Sequence, residues 1–146
     1  MTNSDRDYPK PRKTLSFDDV LLVPKYSDIK SRKEVDTSSY LDDKRSFELP
    51  IISSPMDTLT ESAMAMAMQS AGGLGIIHRY NTIEEQSYEI HKSVSTYAGP
   101  VGAAIGMTGD YLERAQAARQ AGAEVLCVDV AHGHHLMMER CLKSLK

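Results

Sequence analysis

Cysteine is scarce in this chain. Cys127 lies in an apolar run and Cys141 in a helix-like segment, and neither has metal-ligand spacing. The pair reads as free thiols packed as small hydrophobes in a reducing cytoplasm, not as a disulfide. Long apolar runs are also lacking: none approaches the roughly 20 residues that cross a bilayer, so no membrane span is expected. Met1 to Lys13 has no apolar segment of the kind a secretory signal needs, and Pro9 and Pro11 oppose helix, so residues 1–13 are expected to form a flexible N-terminal arm. There is no excess of positive charge either. The 17 Lys and Arg face 20 Asp and Glu, net charge -3, and nothing gathers the bases into a stripe, which argues against nucleic acid as a partner.

What remains is a chain of 146 residues, 41% hydrophobic and 25% charged, suited to one soluble globular core. Leu15 to Lys25 holds Val20-Leu21-Leu22-Val23, which should pack, with Pro24 ending it. Tyr26 to Phe47 is charged and reads as a surface excursion with short strands and a turn at Asp42-Asp43. From Leu49 the pattern becomes regular. Leu49 to Ile52 is a short apolar run ending in a small polar loop, as in a strand buried on both faces that delivers a site at its C-terminal end. Thr58 with Glu61 has capping-box spacing ahead of an Ala/Met-rich helix that Gly72-Gly73 stops. Leu74 to His78, Val101 to Ile105 and Val125 to Val128 are three further strands. Thr82 with Glu85 and Asp110 with Glu113 open the intervening helices, and Gly122 closes the second of these. Met138, Cys141, Leu142 and Leu145 give a last amphipathic helix.

Strand starts thus recur about every 25 residues, and helical crossovers make the strands parallel. The expected fold class is α/β, a parallel (β/α) TIM-barrel type with only the first four βα units present. A full barrel takes about 250 residues. The expectation is therefore a polypeptide that continues past Lys146, with two assembling halves or an open four-stranded sheet as the alternatives.

The stretch Ser53-Ser54-Pro55-Met56-Asp57 is the first candidate site. Serines in such a loop either bond their own backbone or meet a ligand, and Met either fills core or lies against a ring. Asp57 is read as an acceptor for free amides of the following helix. Asp129 ends the fourth strand, where it accepts from a ligand or caps the next helix. His78 is read as a hydrogen-bonded histidine of the loop layer. His132, His134 and His135 lie near Asp129, but no distant ligand supports a zinc site, so no metal is assigned.

Five motifs carry a family resemblance: LSFDDVLLVP (15–24), PIISSPMDTLTE (50–61), GGLGIIH (72–78), VGAAIG (101–106) and DVAHGH (129–134). In this order they resemble the successive N-terminal motifs of the IMP dehydrogenase and GMP reductase family, over nearly all of residues 14–146. The resemblance implies a (β/α)8 barrel, a homotetramer, a purine nucleotide substrate (IMP or GMP) and a nicotinamide cofactor. Position by position it makes Ser54 and Met56 substrate-binding, and Asp129 and, in the loop after the third strand, Thr108 cofactor-binding. It favours the dehydrogenase branch: NAD-dependent oxidation of IMP to XMP through a covalent cysteine adduct in guanine nucleotide synthesis. The alternative is NADPH-dependent reductive deamination of GMP, and Val130-Ala131 after Asp129 resembles that branch. A rival of another class is a non-catalytic half-barrel. Only Ser95 to Pro100 span the point where most dehydrogenases insert regulatory CBS domains, so residues 14–146 are expected to hold barrel alone. The family's catalytic Cys loop, its flap and its potassium site belong to the other half of the barrel. No catalytic residue is therefore assigned here, and residues 1–146 alone are expected not to turn over.

Overall fold

The structure, a computed structural model, describes residues 13–146. The expected arm over 1–13 lies outside the described residues apart from Lys13. The chain divides into two compact units, the first ending at Val35 and the second running from Asp36 to Lys146.

In the first unit Arg32–Glu34 forms one 3-10 turn, with Ser31 Oγ accepting from the Lys33 amide. The expectation that Val20 to Val23 packs is not met. The segment forms no strand, so its side chains share no sheet face, and Leu21 and Leu22 are 93% and 97% exposed.

The second unit opens with a hairpin, β1 (Ser39–Tyr40) antiparallel to β2 (Ser46–Phe47). Asp42 sets its turn by accepting from the Lys44 and Arg45 amides at 2.8 Å each. Four βα units follow: β3 (Ile52–Ser53), α1 (Ser62–Ser70), β4 (Leu74–Ile77), α2 (Ile83–Thr96), β5 (Val101–Ile105), α3 (Tyr111–Ala121), β6 (Val125–Val128) and α4 (Leu136–Ser144). The sheet order is β3-β4-β5-β6 and every pairing is parallel, as consecutive helical crossovers require. This is the strand order of a (β/α)8 barrel, four units long.

Residue alternation divides the core between the two faces of the sheet. Ile77, Val101 and Ala103 meet Ala65 of α1, Ile90 of α2 and Ala118 of α3 on the helical side. Leu74, Ile76 and Ala104 face the other way, where Phe47 of the hairpin covers them and Val125 and Cys127 pack beside them. β4 and β5 are buried throughout, as continuous apolar runs predict. The first strand departs from that expectation. β3 is two residues long and lies at the sheet edge, with β4 its sole strand neighbour among the described residues, so Ile51 and Ile52 remain about half exposed.

One of the two expected capping boxes does not form. Thr58 lies in a turn, α1 starts later, and Glu61 at its N-cap makes no side-chain cap bond. The Ser62 amide donates instead to Glu89 Oε2 of α2 at 2.8 Å, so a tertiary contact replaces both the local cap and the role expected of Asp57. Asp110 starts α3 at a backbone geometry unsuited to capping, and its carboxylate pairs with Arg114. The Thr82–Glu85 box is complete in both directions. Thr82→Ala is therefore expected to destabilise the protein by about 1 kcal/mol in denaturant titration, and a change indistinguishable from zero would refute the cap. Gly122 closes α3 at φ +109°, a left-handed conformation that glycine adopts without strain.

Candidate functional site

The loop after β3 is shaped by Thr60. Its buried hydroxyl donates to the Ser54 carbonyl at 2.6 Å and lies 3.0 Å from Ser53 Oγ, and its carbonyl accepts from the His78 amide at 3.3 Å. These bonds tie the end of β3 to the end of β4. Ser53 is consumed in this internal pair, which leaves Ser54 and Met56 exposed on the outer side of the loop. Ser53 thus has an internal role, while Ser54 stays open to an external partner.

Ser54, Pro55, Met56, Asp57, Tyr80 and Asp129 line one open cavity of about 480 Å³. Two strands deliver opposite walls: β3 through its loop and β6 through Asp129, the residue after its last. Asp129 does not cap α4, whose N-cap is His135, with Nδ1 accepting from the Met137 amide. The Asp129 side chain is 30% exposed, and its Oδ2 stands 3.6 Å from Arg79 Nε, beyond hydrogen-bond distance. Its acceptor sites therefore remain available to an external donor.

Thr108 is not brought to this cavity. It lies exposed in the loop after β5 and is absent from the cavity lining. His78 is buried. Its Nδ1 accepts from the Tyr80 amide at 3.1 Å, which assigns the proton of the neutral ring to Nε2, 3.4 Å from Glu61 Oε1. The hydrogen-bonded reading of His78 describes this geometry. His132, His134 and His135 are exposed, and among the described residues no three ligating side chains converge on a metal position.

Neither thiol is poised as a nucleophile. Burial, reinforced by the negative charge of Asp129, pushes the Cys127 thiol above its ordinary range, and burial alone does the same for Cys141. Cys141 is buried, with its sulfur 3.8 Å from the Gly106 carbonyl, and Cys127 is half-buried, both as packing residues.

Sequence reasoning missed Thr60, Arg79, Tyr80, Gln86 and Arg114. Gln86, on the buried side of α2, donates through Nε2 to the His78 and Ala104 carbonyls at 2.9 and 2.8 Å, while its Oε1 accepts from Arg114 Nη1 at 3.3 Å. Arg114 Nη2 also donates to the Asn81 carbonyl and to Asp110, both at 3.0 Å. The loop from His78 to Asn81 is thereby held from behind at both ends. One signal was available: Gln86 and Ile90 are four apart and share the inward helical face, so a polar residue there had to find partners.

Residues 14–146 match the model of the IMP dehydrogenase / GMP reductase domain. An inosine-5'-monophosphate dehydrogenase of Nitrosopumilus maritimus is 56% identical over 78 residues, 53% of this chain and 16% of that protein. One of Staphylococcus aureus is 52% identical over 81 residues, 56% of this chain and 16% of that protein. The crystal structure of inosine 5' monophosphate dehydrogenase from Legionella pneumophila superposes with a TM-score of 0.82 at 47% identity, covering 91% of this chain and 40% of that one. The chain thus matches less than half the length of these relatives.

Proposed function

The chain belongs to the IMP dehydrogenase / GMP reductase family, and on that premise we propose that residues 14–146 form the substrate- and cofactor-binding face of the first half of an IMP dehydrogenase barrel. The observation that carries this reading is the convergence of Ser54, Met56 and Asp129 from two strand ends on one cavity. Ser54 offers a hydroxyl to the nucleotide, and Met56 a polarizable thioether to the purine face. Asp129 accepts from the ribose on the nicotinamide side of NAD, and Arg79 and Tyr80 pack behind and beside it. NAD, when bound, supplies the acceptor for the hydride leaving C2 of IMP, and water completes the conversion to XMP. The cysteine that forms the covalent adduct is neither Cys127 nor Cys141, since neither matches the catalytic loop and burial pushes both thiols above their ordinary range, away from a reactive thiolate.

The test uses the polypeptide as its gene encodes it. IMP-dependent formation of NADH and XMP is expected, and NADPH consumption with GMP instead would assign the reductase branch. Asp129→Ala should lower kcat/KM for NAD about thirtyfold, the worth of charge-assisted hydrogen bonds, with the KM for IMP nearly unchanged. An equal loss for both ligands would remove Asp129 from the cofactor side.

A further inference from the structure

We propose that Arg79 is a positioning residue that seats the Asp129 carboxylate, so that dinucleotide binding depends on a side chain acting through Asp129. The proposal rests on the cofactor role given to Asp129 above. Arg79 Nη2 donates to the Asp129 backbone carbonyl at 3.1 Å, and Nε of the same planar group faces Oδ2 at 3.6 Å. One guanidinium is therefore bonded to the main chain of Asp129 and stands within ion-pair range of its side chain. The backbone bond fixes where Asp129 stands, and the nearby charge draws its carboxylate toward Arg79. Arg79 Nε is buried and has no hydrogen-bond partner at normal distance, so a small inward rotation of the carboxylate completes the pair and leaves the other oxygen for a ligand.

The guanidinium is itself held in place. Its Cζ lies 5.4 Å from the centroid of the Tyr80 ring, within cation–π range. On another side it packs near Gly106, just past the end of β5, where a Cβ would stand 3.5 Å from Nη1, an ordinary packing distance. Backbone at both ends of its loop is fixed by Gln86 and Arg114. Arg79 thus bridges the second and fourth strand ends, which no backbone bond joins directly because β5 lies between β4 and β6.

Lysine would keep the charge and the aliphatic stem but replace the planar fork with a compact ammonium, so it cannot reproduce the fixed spacing between the carbonyl and the carboxylate. The experiment compares wild type, Arg79→Met and Arg79→Lys in the polypeptide as its gene encodes it. Arg79→Met should raise the KM for NAD about tenfold while moving the KM for IMP less than about twofold, with Arg79→Lys recovering part of the loss. An unchanged KM for NAD, an equal rise in both KM values, or a lowered melting temperature as the only effect would overturn the proposal. A crystal structure of Arg79→Met gives a readout independent of turnover: the Asp129 carboxylate should leave its seat, and finding it unmoved would also overturn the proposal. Should wild type fail to reduce NAD with IMP, the proposed function falls, and the crystal structure alone then decides whether Arg79 seats Asp129.

Discussion

Gly75→Ala is expected to cost about 3 kcal/mol of folding free energy, the upper end of what overpacking a close-packed interior costs. Gly75 sits in the middle of β4, pointing at α1, and a Cβ built there would lie 2.6 Å from the Ala65 Cα and 2.9 Å from its Cβ. The obstacle is helix backbone, so no rotamer change relieves it. Either α1 moves away from the sheet as a body or β4 bends, and both loosen the layer of Ile77, Ala65 and Ile90. Because the end of α1 is also tied to α2 through Ser62 and Glu89, the displacement spreads beyond the contact. Denaturant titration should show a lowered midpoint with an unchanged slope. A midpoint within error of wild type would mean that the close approach of helix and strand is not a constraint on the fold.

Gln86→Met is expected to cost a similar amount for the opposite reason. The substitution roughly preserves length and volume, so it opens no large cavity, but it strips partners from a buried polar network. The His78 and Ala104 carbonyls lose their side-chain donor, and Arg114, a buried guanidinium, loses an acceptor. Each orphaned buried group costs about 1–3 kcal/mol, and the groups relax together, so the total is about 3 kcal/mol and not their sum. The loss should also reach the site. His78 and Asn81 bracket Arg79 and Tyr80, so releasing the loop should raise the KM for NAD by several-fold, on the order of the tenfold worth of one kcal-scale contact. A variant as stable as wild type would show that Gln86 merely occupies space.

The middle and later elements were legible because their signals are local. Val101 to Ile105 and Val125 to Val128 are apolar runs of strand length between turn residues, and they form strands with those bounds. Thr82 and Glu85 act on amides three residues away, so their spacing alone describes the box. Thr58 with Glu61 and Asp110 with Glu113 have the same spacing and form no box. At the first, Glu89 arrives from another helix, and at the second, Arg114 claims the carboxylate. Leu49 to Ile52 reads like its neighbours, but its burial depends on having strands on both sides, and β3 has one.

The candidate site divides in the same way. Position at a strand end pointed to Ser54 and Met56, the family resemblance added Asp129, and the fold gathers all three on one cavity. Thr108 came from the resemblance alone, and its loop does not bring it to that cavity.

By itself the sequence determined the alternation of strand and helix, the parallel pairing that helical crossovers impose, and the family to which the motifs point. Those follow from periodicity, turn chemistry and motif order, all properties of neighbours along the chain. The tertiary structure alone decided that Ser53 turns inward to Thr60 while Ser54 faces the cavity, that Gln86 and Arg114 secure the loop after β4, and that Arg79 reaches across to Asp129. These are contacts between residues as many as 50 positions apart, and a side chain's partner at that range is set by how layers pack.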